Sequence, residues 1–281
     1  MKDLSQTLRK FNRFELKYII TLRHTERIKS VLRNYLIYDR YGSENGRYRM
    51  RSLYYDSPEY RCYWEKEYGI RFRRKLRMRL YESDEVLTEE SPVFLEIKQR
   101  VDRVTQKRRA LLPYGDALQL CNDRQIPEHG PEDSAVIEEI YAFLWQYNLL
   151  PASIIRYERQ AFVGTDYDIG LRVTFDTNLT FQAHPLYMHG LPSGLPMMRA
   201  NQVVMEIKVN KRIPDWISGL IAAQNLQMDR VSNYCSRIEL AKKMPLFHYR
   251  NHTAESSREI LSSSFSVFSS LEEKIRIRKQ H

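Results

Sequence analysis

Between Arg71 and Arg79 the chain carries Arg71, Arg73, Arg74, Lys75, Arg77 and Arg79, six cations in nine residues. Five of them fall on odd positions, so a β-strand would set them along one face. A strand ordinarily buries one face and wets the other, and like charges side by side repel. Such a row is stable only in water or against a dense polyanion. In the second case the row is the binding surface of the protein.

With 281 residues the chain has length for one large or two small domains. A hydrophobic content of 42% with 19 Tyr supports a packed core. Lys and Arg number 45 against 35 Asp and Glu, and the balance of +10 favours an anionic partner such as a nucleotide, a nucleic acid, phosphate or a membrane surface. Cys62, Cys121 and Cys235 lie far apart with no CxxC, which points to neither a disulfide framework nor a zinc site. The opening MKDLSQTLRKF is too polar for a signal peptide, and no apolar run approaches the ~18 residues of a membrane span, so a cytoplasmic location is expected.

Strand-like segments dominate. They cover about 12–20, 47–55, 70–82, 92–100, 104–113, 153–164, 170–179 and 199–209, with turn signals at Gly42 to Gly46, Ser91-Pro92 and Gly164 to Asp168. Helical periodicity appears at 22–36 behind a Thr21 cap, at 134–148, at 214–226 and at 231–243. Trp145 and Trp216 fall where a helix would pack on the sheet. Residues 182–198 read as a mobile loop. The expected organisation is one domain over 1–250 and a Ser-rich, then basic, tail over 251–281. Eight strands without βαβ alternation argue against a doubly wound parallel sheet. The expected fold class is α+β: an eight-stranded antiparallel closed β-barrel with helices outside, since closure removes edges and creates an interior face for polar residues.

Three of these strands repeat one short pattern, Glu15-x-Lys17, Glu96-x-Lys98 and Glu206-x-Lys208. The i, i+2 spacing places acid and base on one face. Together with the arginine row they form a lattice of opposite charges, in which carboxylates can hold a divalent metal and the cations can hold phosphate oxygens. A single such pattern is ordinarily a solvated face with weak ion pairs; three of them beside the row shift the balance toward a site. Tyr157-x-Arg159, Arg172, and Lys107 with Arg108 and Arg109 extend the set. Arg156 and Arg159 differ by an odd number and cannot share a face, so Arg159 is taken as the inward residue and Arg156 as structural.

In order, RFELKYII, SLYYDSP, KLRMRLYE, FLEIKQR followed by KRR, RYERQAF, LRVTFDTNL, VVMEIKV and VSNYC make up a set of weak motifs whose combination is specific. Over roughly residues 10 to 245 the chain resembles the catalytic domain of the vacuolar transporter chaperone (VTC) polyphosphate polymerases, members of the triphosphate tunnel metalloenzymes. The resemblance implies an eight-stranded barrel with a charged lumen that takes triphosphates or polyphosphate with Mn²⁺ or Mg²⁺. It implies phosphate-binding roles for Lys17, Arg77, Arg79, Lys98, Arg159 and Arg172, with Tyr157 as a further donor, Ser232 near the tunnel mouth and Glu206 on the metal. Lys75, Lys107, Arg109, Lys208 and Arg230 join the substrate-binding set, and Glu15 and Glu96 are further metal candidates. Two positions depart from the pattern. Arg13 stands where the superfamily signature has its first acid, as in VTC-type members, and Asn233 replaces the usual lysine after the serine, with Arg230 as the compensating cation.

The implied reaction is transfer of the γ-phosphoryl group of ATP to a polyphosphate chain. A phosphate acceptor is already ionised, so no general base is needed, and the chain shows no Ser-His-Asp or Cys-His arrangement. The alternatives are a triphosphatase or polyphosphatase in the same lumen, a silent polyphosphate sensor, and a nucleic-acid-binding module. The last would need aromatics interleaved with the cations; the 71–79 row offers only Phe72, at the opposite parity, so nucleic acid is not the expected partner.

Overall fold

The computed structural model describes residues 14–228, apart from 44, 83–85, 103, 166–167, 184–185, 187, 189–193 and 211. These belong to the first of two units of the chain, Met1–Ile238 and Glu239–His281. The helix expected at 231–243 and the tail over 251–281 lie outside the described residues.

Among the described residues ten strands form one sheet: β1 (Phe14–Thr21), β2 (Leu36–Tyr38), β3 (Arg47–Asp56), β4 (Phe72–Glu82), β5 (Pro92–Val101), β6 (Val104–Pro113), β7 (Leu150–Gly164), β8 (Arg172–Gln182), β9 (Leu195–Pro196) and β10 (Gln202–Val209). The main path runs β1-β10-β8-β7-β3-β4-β5-β6, and its ladders are antiparallel. Short β2 pairs with β7, and β9, inside the segment expected as a loop, pairs with β8. The helices are α1 (Leu22–Leu32), α2 (Arg61–Glu67), α3 (Tyr114–Leu118), α4 (Ser134–Gln146) and α5 (Asp215–Ala223), with a π-helical turn at Gln119–Asp123. Thr21 caps α1 by accepting from the His24 amide, as its hydroxyl allows. The unforeseen α2 starts under Asp56, whose carboxylate accepts from the amides of Cys62 and Tyr63.

Strand alternation divides the sheet into an apolar and a charged face. On β4, Leu76 and Met78 lie opposite Ile97 and Leu95 of β5, and together with Phe143 and Ile140 of α4 they form one core. On the other half, Tyr18, Ile20, Val173, Phe175, Met205 and Ile207 pack with Ile28 and Leu32 of α1 and Ile217 of α5 in a second core. Helices therefore cover one face of the sheet. The opposite parity, Arg77 and Arg79 on β4 or Lys17 on β1, belongs to the other face.

That charged face is the inside of a curl. Six strand-to-strand steps separate β1 from β5, which in a flat sheet would be ~29 Å at about 4.8 Å per step. Yet Lys98 on β5 reaches the Glu15 carboxylate on β1 at 3.1 Å. The expectation of a closed eight-stranded barrel needs correction on two points. Among the described residues the sheet has ten strands, and no backbone ladder joins β1 to β6. β1 meets β5 through side chains, so the enclosure is a trough with a seam. Trp145 also departs from its expected packing: it is 59% exposed on α4, while Trp216 stacks on Tyr35 with ring centroids 4.3 Å apart.

Candidate anion-binding trough

The inner face is built by register. Lys17 of β1 stands opposite Glu206 of β10, and Glu15 stands opposite Lys208. Lys208 in turn faces Arg172 of β8, and Asp176 of β8 faces Arg159 of β7. On the other wall, Arg77 faces Glu96, which faces Arg109, and Lys75, Lys98 and Lys107 lie side by side across β4, β5 and β6. Alternation thus converts the short E-x-K patterns and the arginine row into one charged surface, although each comes from a distant part of the chain.

Two clusters stand out. In the first, the Glu206 carboxylate is 3.3 Å from Lys208 Nζ, 4.0 Å from Lys17 Nζ and 4.0 Å from Arg159 Nη2. Burial alone would raise its pKa, but Lys208, Lys17, Arg159 and Lys98 hold it well below the usual carboxylate range. Glu15 is shifted the same way: burial raises it, and Lys98, Lys208 and Lys17 bring it down against the repulsion of Glu206. Lys208 is pushed down to about 8 by burial, which Glu206 and Glu15 only partly offset. Arg159 holds Asp176 in a two-pronged pair, Nε to Oδ1 at 2.6 Å and Nη2 to Oδ2 at 2.7 Å, and lies over the Tyr157 ring at 5.0 Å.

In the second cluster, Glu96 accepts from Arg77 Nε at 2.6 Å and from Lys107 Nζ at 2.8 Å, with Arg79 Nη1 at 3.5 Å. Burial would raise its pKa; the three cations hold it far below the usual range. Arg77 also donates to Tyr54 Oη at 3.1 Å. Arg79 Nε is buried with no hydrogen-bond partner. Arg109 lies over the Phe94 ring at 4.6 Å.

The sequence-derived residues on β1, β4, β5, β6, β7, β8 and β10 share this face; Ser232, Arg230 and Asn233 lie outside the described residues. Glu96 does not join Glu15 and Glu206, because a separate set of cations engages it. Arg156 sits across the sheet near Glu82 at 3.8 Å. Sequence reasoning missed Asp176, Tyr54, Tyr48 and Asp39. Tyr48 Oη accepts from Arg172 at 2.7 Å, and Asp39, on the connection after β2, pairs with the same guanidinium at 2.5 Å. Tyr48 and Tyr54 were within reach of the parity test, whereas Asp39 is in no regular strand and gave no signal.

A family model described as VTC domain matches residues 12–242. The chain belongs to the VTC domain family. No curated protein matches the sequence. Solved structures similar to this VTC domain include a candidate adenylate cyclase from Bacillus halodurans, at 12% identity and TM-score 0.48, covering 82% of this chain and 98% of that one. The PH1819 protein of Pyrococcus horikoshii has 14% identity, TM-score 0.42, and coverage of 81% and 99%. A candidate adenylyl cyclase from Hippeastrum, described as having a dominant triphosphatase activity, has 13% identity, TM-score 0.43, and coverage of 83% and 97%. No helix among the described residues is long and apolar enough to cross a membrane.

Proposed function

We propose that this VTC domain is an ATP-dependent polyphosphate polymerase, transferring the γ-phosphoryl group of ATP to the end of a growing polyphosphate chain. The observation that carries the proposal is the continuous cationic inner face, with Lys17, Lys208 and Arg159 on one wall and Arg77, Arg79 and Lys107 on the other. An extended row of phosphates matches it in sign and in shape, and guanidinium groups suit such oxygens by their forked donors.

The fit of a divalent ion turns on the donors present. Among the described residues there is no group of three or more His, Cys, Asp or Glu placed to hold a metal. Glu15 and Glu206 are two hard carboxylates on neighbouring strands. Magnesium-like ions are commonly held by one or two carboxylates with substrate phosphates completing the shell, so the pair fits an ion that arrives with the triphosphate. In this reading Glu206 and Glu15 would hold Mn²⁺ or Mg²⁺, which when bound would supply charge neutralisation at the phosphate oxygens.

The chain's own residues align and neutralise. Arg77, Arg79, Arg159 and Arg172 bind the triphosphate and stabilise the charge that develops at transfer, a contribution that preorganised donors make without reorganising. Asp176 holds Arg159 in orientation, and Tyr48 with Asp39 holds Arg172. A terminal phosphate of the acceptor chain then attacks the γ-phosphorus in line, the bond to the β-phosphate bridging oxygen breaks, and ADP departs. The purified protein with ATP and Mn²⁺ should accumulate acid-stable polymer together with ADP. Release of orthophosphate as the sole phosphate product would defeat the polymerase reading and leave a triphosphatase. Salt-sensitive oligonucleotide binding that triphosphate cannot displace would defeat both.

A further inference from the structure

We infer that Glu96 is a positioning residue for the phosphate-binding cations, and not a metal ligand; the inference rests on the phosphate-chain reading above. Its side chain is 2% exposed, and both carboxylate oxygens are taken: Oε2 by Arg77 and Arg79, Oε1 by Lys107. A carboxylate offers about four lone-pair directions, and three are occupied by cations. A divalent ion there would have to displace a guanidinium or an ammonium, with no second carboxylate among its charged partners.

The arrangement has a physical purpose. Arg77 and Arg79 are two residues apart on one strand face, and Lys107 comes from two strands away, so unopposed they would repel and splay. One buried anion between them fixes their spacing. It does so without using up their binding capacity: three positive charges against one negative leave two, Arg79 Nε has no partner, and Lys107 keeps 40% of its side chain exposed. Glu96 therefore trades some attraction for alignment, and its removal should lower turnover without weakening binding.

The test compares Glu96→Gln, Glu96→Asp and the wild type by ATP turnover, the Mn²⁺ concentration for half-maximal rate, and calorimetric binding of tripolyphosphate in EDTA. Glu96→Gln should lower kcat by about 10²-fold, as expected for disturbed electrostatic preorganisation. Tripolyphosphate should bind as tightly or more tightly, because the cluster gains net positive charge. The Mn²⁺ midpoint should stay within about twofold, and Glu96→Asp should recover part of kcat. A Mn²⁺ midpoint raised about tenfold, with the rate restored at saturating metal, would make Glu96 a ligand and overturn the proposal. Unchanged kcat and binding would overturn it as well. If the glutamine variant does not fold, Glu96→Asp decides: wild-type turnover with the shortened side chain contradicts a spacing role. Turnover is scored as ATP consumed and binding without metal, so a failure of polymer formation is told apart from a failure of this assignment.

Discussion

Asp176 shows how much of the site depends on charges that never meet solvent. It is 1% exposed, and both its oxygens are bound to Arg159. Removing one partner of a buried pair leaves the other uncompensated, so Asp176→Ala should cost about 3–5 kcal/mol in urea unfolding. Lys208 makes a pH prediction. Burial lowers its pKa from 10.5 to about 8, while in the unfolded chain it keeps the usual value. Between about 8 and 10.5 the unfolded state binds more protons, so this residue's contribution to stability grows as pH rises through that window. Anion binding moves the other way: tripolyphosphate affinity, measured in EDTA, should fall above about pH 8 as the ammonium charge is lost. Lys208→Arg should flatten that fall, because a guanidinium stays charged. Lys107 is also lowered to about 8, by burial against the pull of Glu96, but its more exposed side chain makes Lys208 the cleaner probe.

At the scale of elements, parity was the most legible property. The five odd cations of 71–79 imply a strand with one charged face, and Leu76 and Met78 occupy the other face against α4. All eight expected strands end within three residues of their observed bounds at each end, because apolar alternation and turn residues are local signals. What escaped was set by partners. β2 has three residues and forms only on β7, and α2 starts where Asp56 supplies an acceptor to amides that would otherwise be unpaired. The β2–β3 connection gives a prediction of its own. Gly46 has φ +63°, and a Cβ there would sit 2.6 Å from the Ala161 carbonyl oxygen, whose acceptor role toward Asp39 keeps it in place. Gly46→Ala should lose about 2 kcal/mol or more in chemical denaturation. It should also weaken anion binding, because Asp39 is one of the two residues that hold Arg172.

For the whole molecule, the seam is the main correction and the source of the last prediction. Glu15 and Lys98 meet across it with 28% and 42% of their side chains exposed. A pair that wet contributes at most about 1 kcal/mol, so Glu15→Gln should leave the unfolding free energy within that margin. It should nevertheless raise the Mn²⁺ needed for half-maximal rate several-fold, about what loss of one of two carboxylates implies; an unchanged midpoint would remove Glu15 from the metal set. The sequence by itself determined that strands of this chain carry charge on one face and grease on the other, since side-chain alternation is a property of each strand alone. It pointed, too, to an anionic partner, because the surplus of cations is written in the composition. Only the tertiary structure decided that Glu96 is enclosed by Arg77, Arg79 and Lys107 while Glu206 stands with Lys17 and Lys208, and that the sheet curls without closing among the described residues. Those outcomes depend on register and curvature, which are set by how strands distant in sequence align over two packed cores.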